Sequence, residues 1–255
     1  MKAYVIDYSS NANNEHSLTS AGFIITRESE NFRIWQNEQD SPDEQLPRLL
    51  ASKGYQKIFE NCFIPKERNS HLSHEAIRLL FTEISGLNYQ SVITPHQNHA
   101  CYEQLYFGAQ TRNINRINRI LDFGCGPGTI LSCPSYNKAE ALFGYDFVDQ
   151  NLKIASKSGL KTLTLHELTR NQPHDFDLVV FCYVLHYQSI KYDMFAALYE
   201  HLRPGGIWAA NFHKSIGLSW FLENARSLPD HEIEIEPSTF GDLLFLKKVN
   251  SNVLL

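Results

Sequence analysis

Short apolar runs alternate with helical patterns along the second half of the chain. The apolar runs have the length of buried strands and cover residues 120–123, 141–145, 162–165, 178–181 and 207–212. Helices are predicted between them over residues 149–158 and 192–202, where a glycine or a Pro-Gly-Gly turn follows the pattern. Because strands that alternate with helices form parallel sheets covered on both faces, this half predicts an α/β domain.

The end of the chain departs from this alternation. Residues 215–228 predict a helix, and residues 232–236 and 242–249 predict two strands joined by a turn that contains proline and glycine. Strands joined by so short a connection pair antiparallel. We therefore expect an antiparallel hairpin at one edge of the sheet.

The first half has a mixed pattern. Residues 4–8, 23–26 and 32–35 are aromatic and β-branched and predict strands, whereas residues 46–58 and 72–84 keep helical faces. Pro95 and the polar residues after it predict a loop. We therefore divide the chain into a mixed α+β N-terminal extension, residues 1–115, and an α/β domain, residues 116–255.

Composition excludes several classes of protein. No apolar run approaches the roughly 20 residues that span a bilayer, and the N-terminus lacks the apolar core of a signal peptide. The five cysteines form no CxxC pair, which argues against a zinc site or a disulfide framework and favours a cytoplasmic location. A net charge of −5 disfavours a large nucleic-acid interface.

The most informative segment is Arg-Ile-Leu-Asp-Phe-Gly-Cys-Gly-Pro-Gly-Thr at residues 119–129. A buried strand runs into Gly124, Gly126 and Gly128 and then into a predicted helix, whose first N–H groups suit polar or anionic ligand groups. The next strand ends at Asp146, a position from which a carboxylate can bind ribose hydroxyls. The pattern predicts a nucleoside-cofactor site. Alternatively, the glycines serve strand–helix packing and Asp146 caps the following helix.

The spacing is not that of a dinucleotide fingerprint, since Thr129 stands where the third glycine is required. With Asp122 two residues before Gly124, the segment resembles motif I of class I S-adenosylmethionine (SAM)-dependent methyltransferases, (D/E)-x-G-x-G-x-G. Further segments similar to that family lie at residues 142–149, 176–187 and 202–208 and in the terminal hairpin. The resemblance implies a Rossmann-like seven-stranded sheet with an antiparallel last strand, SAM as cofactor and S-adenosylhomocysteine (SAH) as product.

The resemblance also implies roles for individual residues. It implies that the methionine part of SAM is lined by Asp122 and by the backbone of Phe123, Gly124, Cys125 and Gly126. It implies Asp146 for the ribose, Phe147 for the adenine ring, and Glu167 or His166 for the adenine edge. After the fourth strand of the family fold, it implies that Cys182 and Tyr183 face the cofactor, and that Tyr106 or Tyr102 closes over it.

Several of these side chains have a plain alternative. Cys125 and Cys182 suit the role of small space-filling residues, and Tyr183 can attract the sulfonium through its ring or simply pack. His186, in Val-Leu-His-Tyr, is a candidate general base that takes a proton from the acceptor, or it orders its loop. No HxxxH or HxH spacing indicates a metal site.

The sequence thus predicts a SAM-dependent methyltransferase that acts on a small or medium-sized metabolite, with residues 1–115 as acceptor-binding region or lid. The Val-Leu-His-Tyr loop, the acidic balance and the aromatic residues of the first half support a small acceptor. A protein or RNA acceptor is the alternative. For base N-methylation of nucleic acid the loop after residue 181 lacks the expected prolines. A non-catalytic SAM-binding protein is the third possibility.

Overall fold

The computed structural model describes residues 2–8, 12–37, 45–59, 61–66, 74–85, 95–113, 116–169, 174–187, 190–213 and 215–249. The chain forms two compact units, Met1–Thr94 and Pro95–Leu255. The sequence placed the boundary later, at residue 115. The two positions differ because the predicted loop at Pro95 is wrong: a helix, Pro95–Arg112, begins there and packs against the second unit's sheet.

Over its described residues the first unit is a mixed five-stranded sheet with three helices, as the sequence predicted for an α+β region. Its strands are β1 (Ala3–Tyr8), β2 (Phe23–Glu28), β3 (Phe32–Asn37), β4 (Tyr55–Phe59) and β5 (Cys62–Pro65), in the order β2-β3-β1-β5-β4. Its helices are α1 (Ala12–Ser20), α2 (Gln45–Ser52) and α3 (His74–Glu83). The single helix predicted over residues 46–58 is wrong, because the chain turns at Gly54, whose φ is +88°, and enters β4.

The aromatic residues of this unit form its core. Tyr4, Phe23, Trp35 and Tyr55 are all at most 2% exposed. Trp35 and Tyr55 belong to one cluster with Val5 on one face of the sheet. These rings therefore stabilise the unit by burial, and the expectation that they favour an apolar acceptor pocket is wrong for the four of them.

The second unit is a seven-stranded sheet, which confirms the predicted Rossmann-like fold. Its strands are β6 (Arg119–Phe123), β7 (Ala141–Tyr145), β8 (Lys161–Thr162), β9 (Phe176–Phe181), β10 (Leu202–Phe212), β11 (His231–Ser238) and β12 (Gly241–Lys248). They lie in the order β11-β12-β10-β9-β6-β7-β8. The neighbours from β10 to β8 pair parallel, whereas β12 pairs antiparallel with both β10 and β11.

Five helices accompany this sheet in the described residues. They are α4 (Pro95–Arg112), α5 (Asp149–Lys157), α6 (Leu165–Thr169), α7 (Tyr192–Glu200) and α8 (Ser215–Ala225). The predicted strand over residues 162–165 is wrong beyond Thr162, because Thr164 and Glu167 form a capping box that starts α6.

Side chains that alternate along the central strands build one core on each face of the sheet. On β9, Val179 and Phe181 join a cluster with Trp208. Leu178 and Val180, between them, join the opposite cluster, which also contains Leu105 of α4. The sheet is thus buried on both sides, and ligands have access to it from its edges and strand ends.

His201, at the end of α7, provides a test of this fold. Its imidazole is 2% exposed; Nε2 donates to the Leu168 carbonyl at 2.7 Å, and Nδ1 accepts from the His174 amide. Burial lowers the pKa of His201 below its usual 6.5, so the folded chain holds the ring neutral. The unfolded chain takes up the proton more readily. Stability should therefore be lost as pH falls through the ordinary histidine pKa.

We expect His201→Gln to lower the free energy of unfolding at neutral pH by about 1–3 kcal/mol, because a buried hydrogen bond is disturbed. The variant should also lose less further stability than the wild type between about pH 7.5 and 5. Urea unfolding at several pH values measures both effects. Parallel pH profiles for the two proteins would contradict the role given to this ring.

Candidate cofactor site

A loop with three left-handed glycines follows β6. Gly124, Gly126 and Gly128 have φ values of +79°, +53° and +93°, which side-chain-bearing residues rarely adopt. We call residues 124–128 the glycine loop. A Cβ on Gly124 would lie 2.4 Å from Cγ2 of Val184. The Gly124 and Cys125 amides both donate to the Tyr145 carbonyl, at 2.7 and 2.9 Å, and hold the loop against the end of β7.

The α-helix predicted after the glycine loop is wrong. Two short 3-10 turns, Thr129–Ser132 and Tyr136–Lys138, occupy this segment. Pro134 lies between them and cannot donate the hydrogen bond that a continuing helix requires. The site therefore lacks the helix start that the sequence suggested, and its backbone donors come from the glycine loop itself.

Asp146 follows β7 and ties the glycine loop to the next helix. Its carboxylate is 7% exposed and accepts from the Gly126 amide at 2.9 Å and from the Val148 amide at 2.8 Å. The Asn151 side chain donates at 3.4 Å. Burial raises the pKa of Asp146, and these hydrogen bonds oppose the shift. Val148 is the N-cap residue of α5, so Asp146 is not the cap itself. With roughly four acceptor positions on a carboxylate, capacity for a ligand hydroxyl is left.

Asp122, the last but one residue of β6, is fully buried. The Tyr102 hydroxyl donates to its two oxygens at 3.0 and 3.1 Å. Burial raises the pKa of Asp122 to about 8, against the opposing effect of this hydrogen bond. Of the two tyrosines predicted on this side, Tyr102 thus contacts the motif. The ring of Tyr106 packs edge-on against Tyr136, with centroids 5.1 Å apart.

The segment after β9 lies against the glycine loop through the contact of Val184 with Gly124. Tyr183 has a φ of +59°, in the left-handed region that costs a residue with a side chain energy. Asn211, fully buried at the end of β10, holds this conformation: its Oδ1 accepts from the Tyr183 amide at 2.7 Å, and its Nδ2 donates to the Phe240 carbonyl. Nothing local in the sequence marks this role of Asn211, which was not among the predicted site residues.

His186 lies in a short turn after Tyr183 and is 2% exposed. Its ring is 3.9 Å from that of His213, which is exposed, and 5.5 Å from that of Tyr183. A Cβ on Gly217 of α8 would lie 2.8 Å from the His186 Cα, so the helix packs closely on this turn. His213 was also missed, because it is 27 residues away along the chain and becomes a neighbour only through the pairing of β9 with β10.

The other predicted site residues are Phe147, Glu167, Cys125 and Cys182. Phe147 is half-buried directly after Asp146. Glu167 is exposed, and its carboxylate accepts from the amide and hydroxyl of Thr164 in the capping box. Cys125 and Cys182 are buried thiols, and burial raises the pKa of both well above the usual range. Both thiols are therefore protonated near neutral pH.

In the parts of the chain that the structure describes, no helix is long and apolar enough to cross a membrane. The same residues contain no group of three or more histidine, cysteine, aspartate or glutamate side chains that could hold a metal ion.

Comparisons with known proteins agree with the fold. Residues 121–208 match the family model described as a methyltransferase domain. No curated protein matches the chain. A Methanococcus maripaludis structure described as a candidate S-adenosyl-L-methionine-dependent methyltransferase is similar at a TM-score of 0.50 and 15% identity, covering 71% of this chain and 96% of the other.

The plantazolicin methyltransferase BpumL, solved in complex with SAH, is also similar at a TM-score of 0.50 and 15% identity. That match covers 64% of this chain and 88% of the other. At 15% identity the two solved structures show a similar fold and nothing more. The family match covers the glycine loop, Asp146 and strand β9. The second unit of the chain carries a methyltransferase domain with the class I, SAM-dependent fold.

Proposed function

We propose that the protein transfers a methyl group from SAM to a small or medium-sized metabolite. The observation that carries the proposal is the glycine loop together with Asp122 and Asp146. Three left-handed glycines leave the backbone bare of side chains, and two buried carboxyls flank it. Such a surface suits a nucleoside with hydroxyl groups and a positive charge.

These residues fit SAM in shape and charge. In the described residues, the ion pairs involve neither Asp122 nor Asp146, so no lysine or arginine competes with a cationic ligand there. The plantazolicin methyltransferase, which has a similar fold, was solved with SAH. When bound, SAM supplies a methyl group on a sulfonium, which is already activated for displacement.

The chain's own residues would then position the ligand and exclude water. In this proposal Asp146 binds the ribose hydroxyls and Phe147 packs against the adenine. Asp122 and the backbone from Phe123 to Gly126 surround the methionine part. Cys182 and Tyr183 form the wall on the side of β9.

The acceptor side of the proposal rests on the imidazole and phenol rings after β9 and β10. The rings of Tyr183, His186 and His213 are within 5.6 Å of one another, centroid to centroid. Because Val184 contacts Gly124, this group lies next to the glycine loop. His186 is the proposed proton acceptor for a substrate whose methylation requires loss of a proton. Residues 1–115 are proposed to supply the acceptor-binding region or lid.

A methyl-transfer assay tests this function. Purified protein and SAM labelled in the methyl group are incubated with pools of metabolites, RNA and peptides, and the label is followed into each pool. We expect label in the metabolite pool. Label in RNA or peptide would show that the acceptor is a nucleic acid or a protein and not a metabolite. Binding of SAM without transfer to any pool would favour a non-catalytic SAM-binding protein.

The role of Asp146 predicts a loss of cofactor affinity on substitution. We expect Asp146→Ala to weaken SAH binding by about 1–3 kcal/mol, because ribose hydroxyls lose a buried acceptor. Calorimetry measures the affinity, and ligand-free thermal unfolding reports separately on the lost bonds to Gly126 and Val148. Asp149→Ala, which removes an exposed carboxylate nearby, is the matched control and should bind SAH like the wild type. Unchanged affinity in folded Asp146→Ala would remove Asp146 from the site.

The role of His186 predicts that binding and turnover separate. His186→Gln should leave SAH affinity unchanged, because the rings next to His186 are those of Tyr183, Phe212 and His213. With the acceptor found in the pool assay, turnover should fall by roughly 10²–10⁴-fold if His186 takes the proton. Full activity in the variant would show that His186 does not take the proton and only orders its loop.

A further inference from the structure

The three buried aspartates of the sheet's strand ends have different electrostatic partners. Asp177, at the start of β9, is 2% exposed, forms an ion pair with Arg203 at 2.5 Å, and accepts from the Asn118 and Arg119 amides. Asp122 and Asp146 are at the opposite ends of their strands. In the described part of the chain neither carboxyl has a cation within 4.0 Å.

Among the residues that the structure describes, the titratable groups that act on Asp122 are all neutral or acidic. Tyr102 faces it from α4, Asp146 from the end of β7, and Cys182 from the end of β9. The remaining groups follow the strand in the chain and are Cys125, Cys133 and Tyr136. None of these groups can balance a negative charge on Asp122, although Tyr102 can donate a hydrogen bond to it.

An unpaired carboxylate is costly in such surroundings. Asp122 is fully buried, and its desolvation together with the charge of Asp146 raises its pKa to about 8. Near neutral pH the ligand-free protein therefore holds Asp122 mainly as the neutral acid. The Tyr102 hydroxyl favours the ionised form but does not outweigh burial.

We propose that Asp122 and Tyr102 form a charge-sensing pair that releases a proton to solvent when a cationic ligand enters the glycine loop. The O–H bond of the Asp122 carboxyl breaks, its electron pair stays on the carboxylate, and the proton passes to the buffer; no bond forms to the ligand. The inference rests on the proposed function, because it takes the positively charged methionine end of SAM as the ligand.

Tyr102 sets how readily the proton leaves. Its hydroxyl lies 3.0 and 3.1 Å from the two oxygens and donates to the carboxylate that forms. The pair joins α4 to β6, so the recognition of charge at the glycine loop depends on a helix outside motif I. Removing the hydroxyl while keeping the ring should make ionisation harder.

Calorimetry in buffers of different ionisation enthalpy tests the proposal. SAM and SAH are titrated into the full-length protein near neutral pH, and the dependence of the heat on the buffer gives the number of protons released. We expect release approaching one proton per site in the wild type, as about nine-tenths of an acid with a pKa of about 8 is protonated at pH 7. Asp122→Asn should bind with release close to zero.

Asp149→Asn is the matched control, since it neutralises an exposed carboxylate of the same domain and should release protons like the wild type. Tyr102→Phe should still release a proton, with the half-point of release shifted to higher pH. SAM binding without proton release, or equal release in Asp122→Asn, would overturn the inference while leaving the proposed function intact. Failure of SAM and SAH to bind the wild type would instead overturn the proposed function.

A measurement without ligand keeps the test independent of binding. Because the folded-state pKa of Asp122 is raised, its contribution to stability is present at low pH and is lost as pH rises toward about 8. Thermal unfolding should therefore show wild type losing stability relative to Asp122→Asn between about pH 5 and 8. A constant difference over this range would contradict the neutral buried acid. If Asp122→Asn does not fold, the shift in Tyr102→Phe decides the proposal.

Discussion

The site depends on one backbone constraint: the chain must leave β6 in a left-handed conformation that glycine alone adopts cheaply. Gly124, Gly126 and Gly128 meet that constraint, and the absence of their side chains lets neighbouring segments approach. Val184 fills the space beside Gly124, while the Gly126 amide reaches Asp146. The glycine loop therefore links the ends of β6, β7 and β9, and any residue with a side chain at Gly124 would separate them.

A second glycine contact of this kind orders the turn after β9. Gly217 brings α8 against the turn that carries His186, and Asn211 fixes Tyr183 in a conformation that costs energy when unsupported. The buried Asn211 side chain is hydrogen-bonded through both its oxygen and its nitrogen. It therefore fixes the backbone at Tyr183 and with it the direction of the Tyr183 side chain. That direction places the Tyr183 ring 5.5 Å from the ring of His186 and 5.6 Å from that of His213, centroid to centroid.

Sequence patterns predicted the strands whose formation depends on the burial of apolar residues. Strands β6, β7, β9 and β10 are apolar on both faces, and each was expected within a few residues of its bounds. Helix α4 was missed because its polar N-terminal half resembles a loop and its apolar residues are not concentrated on one side. The helix after the glycine loop was expected wrongly, because a strand that runs into a glycine turn is typical of a helix start, whereas Pro134 separates two 3-10 turns here. Asn211 and His213 gain their roles only from contacts distant in sequence, for which one chain gives no signal.

The two ends of the sheet show why the buried acids cannot be explained by stability alone. At one end Asp177 is compensated by Arg203 and two amides, an arrangement that joins the starts of β6 and β9. At the other end Asp122 and Asp146 are also buried, and in the described residues their hydrogen-bond donors are neutral. A fold selected for stability would place apolar residues or a cation there, because uncompensated buried charge is destabilising. In the proposed function, the positive end of SAM completes this arrangement when it binds at the glycine loop beside the two carboxyls.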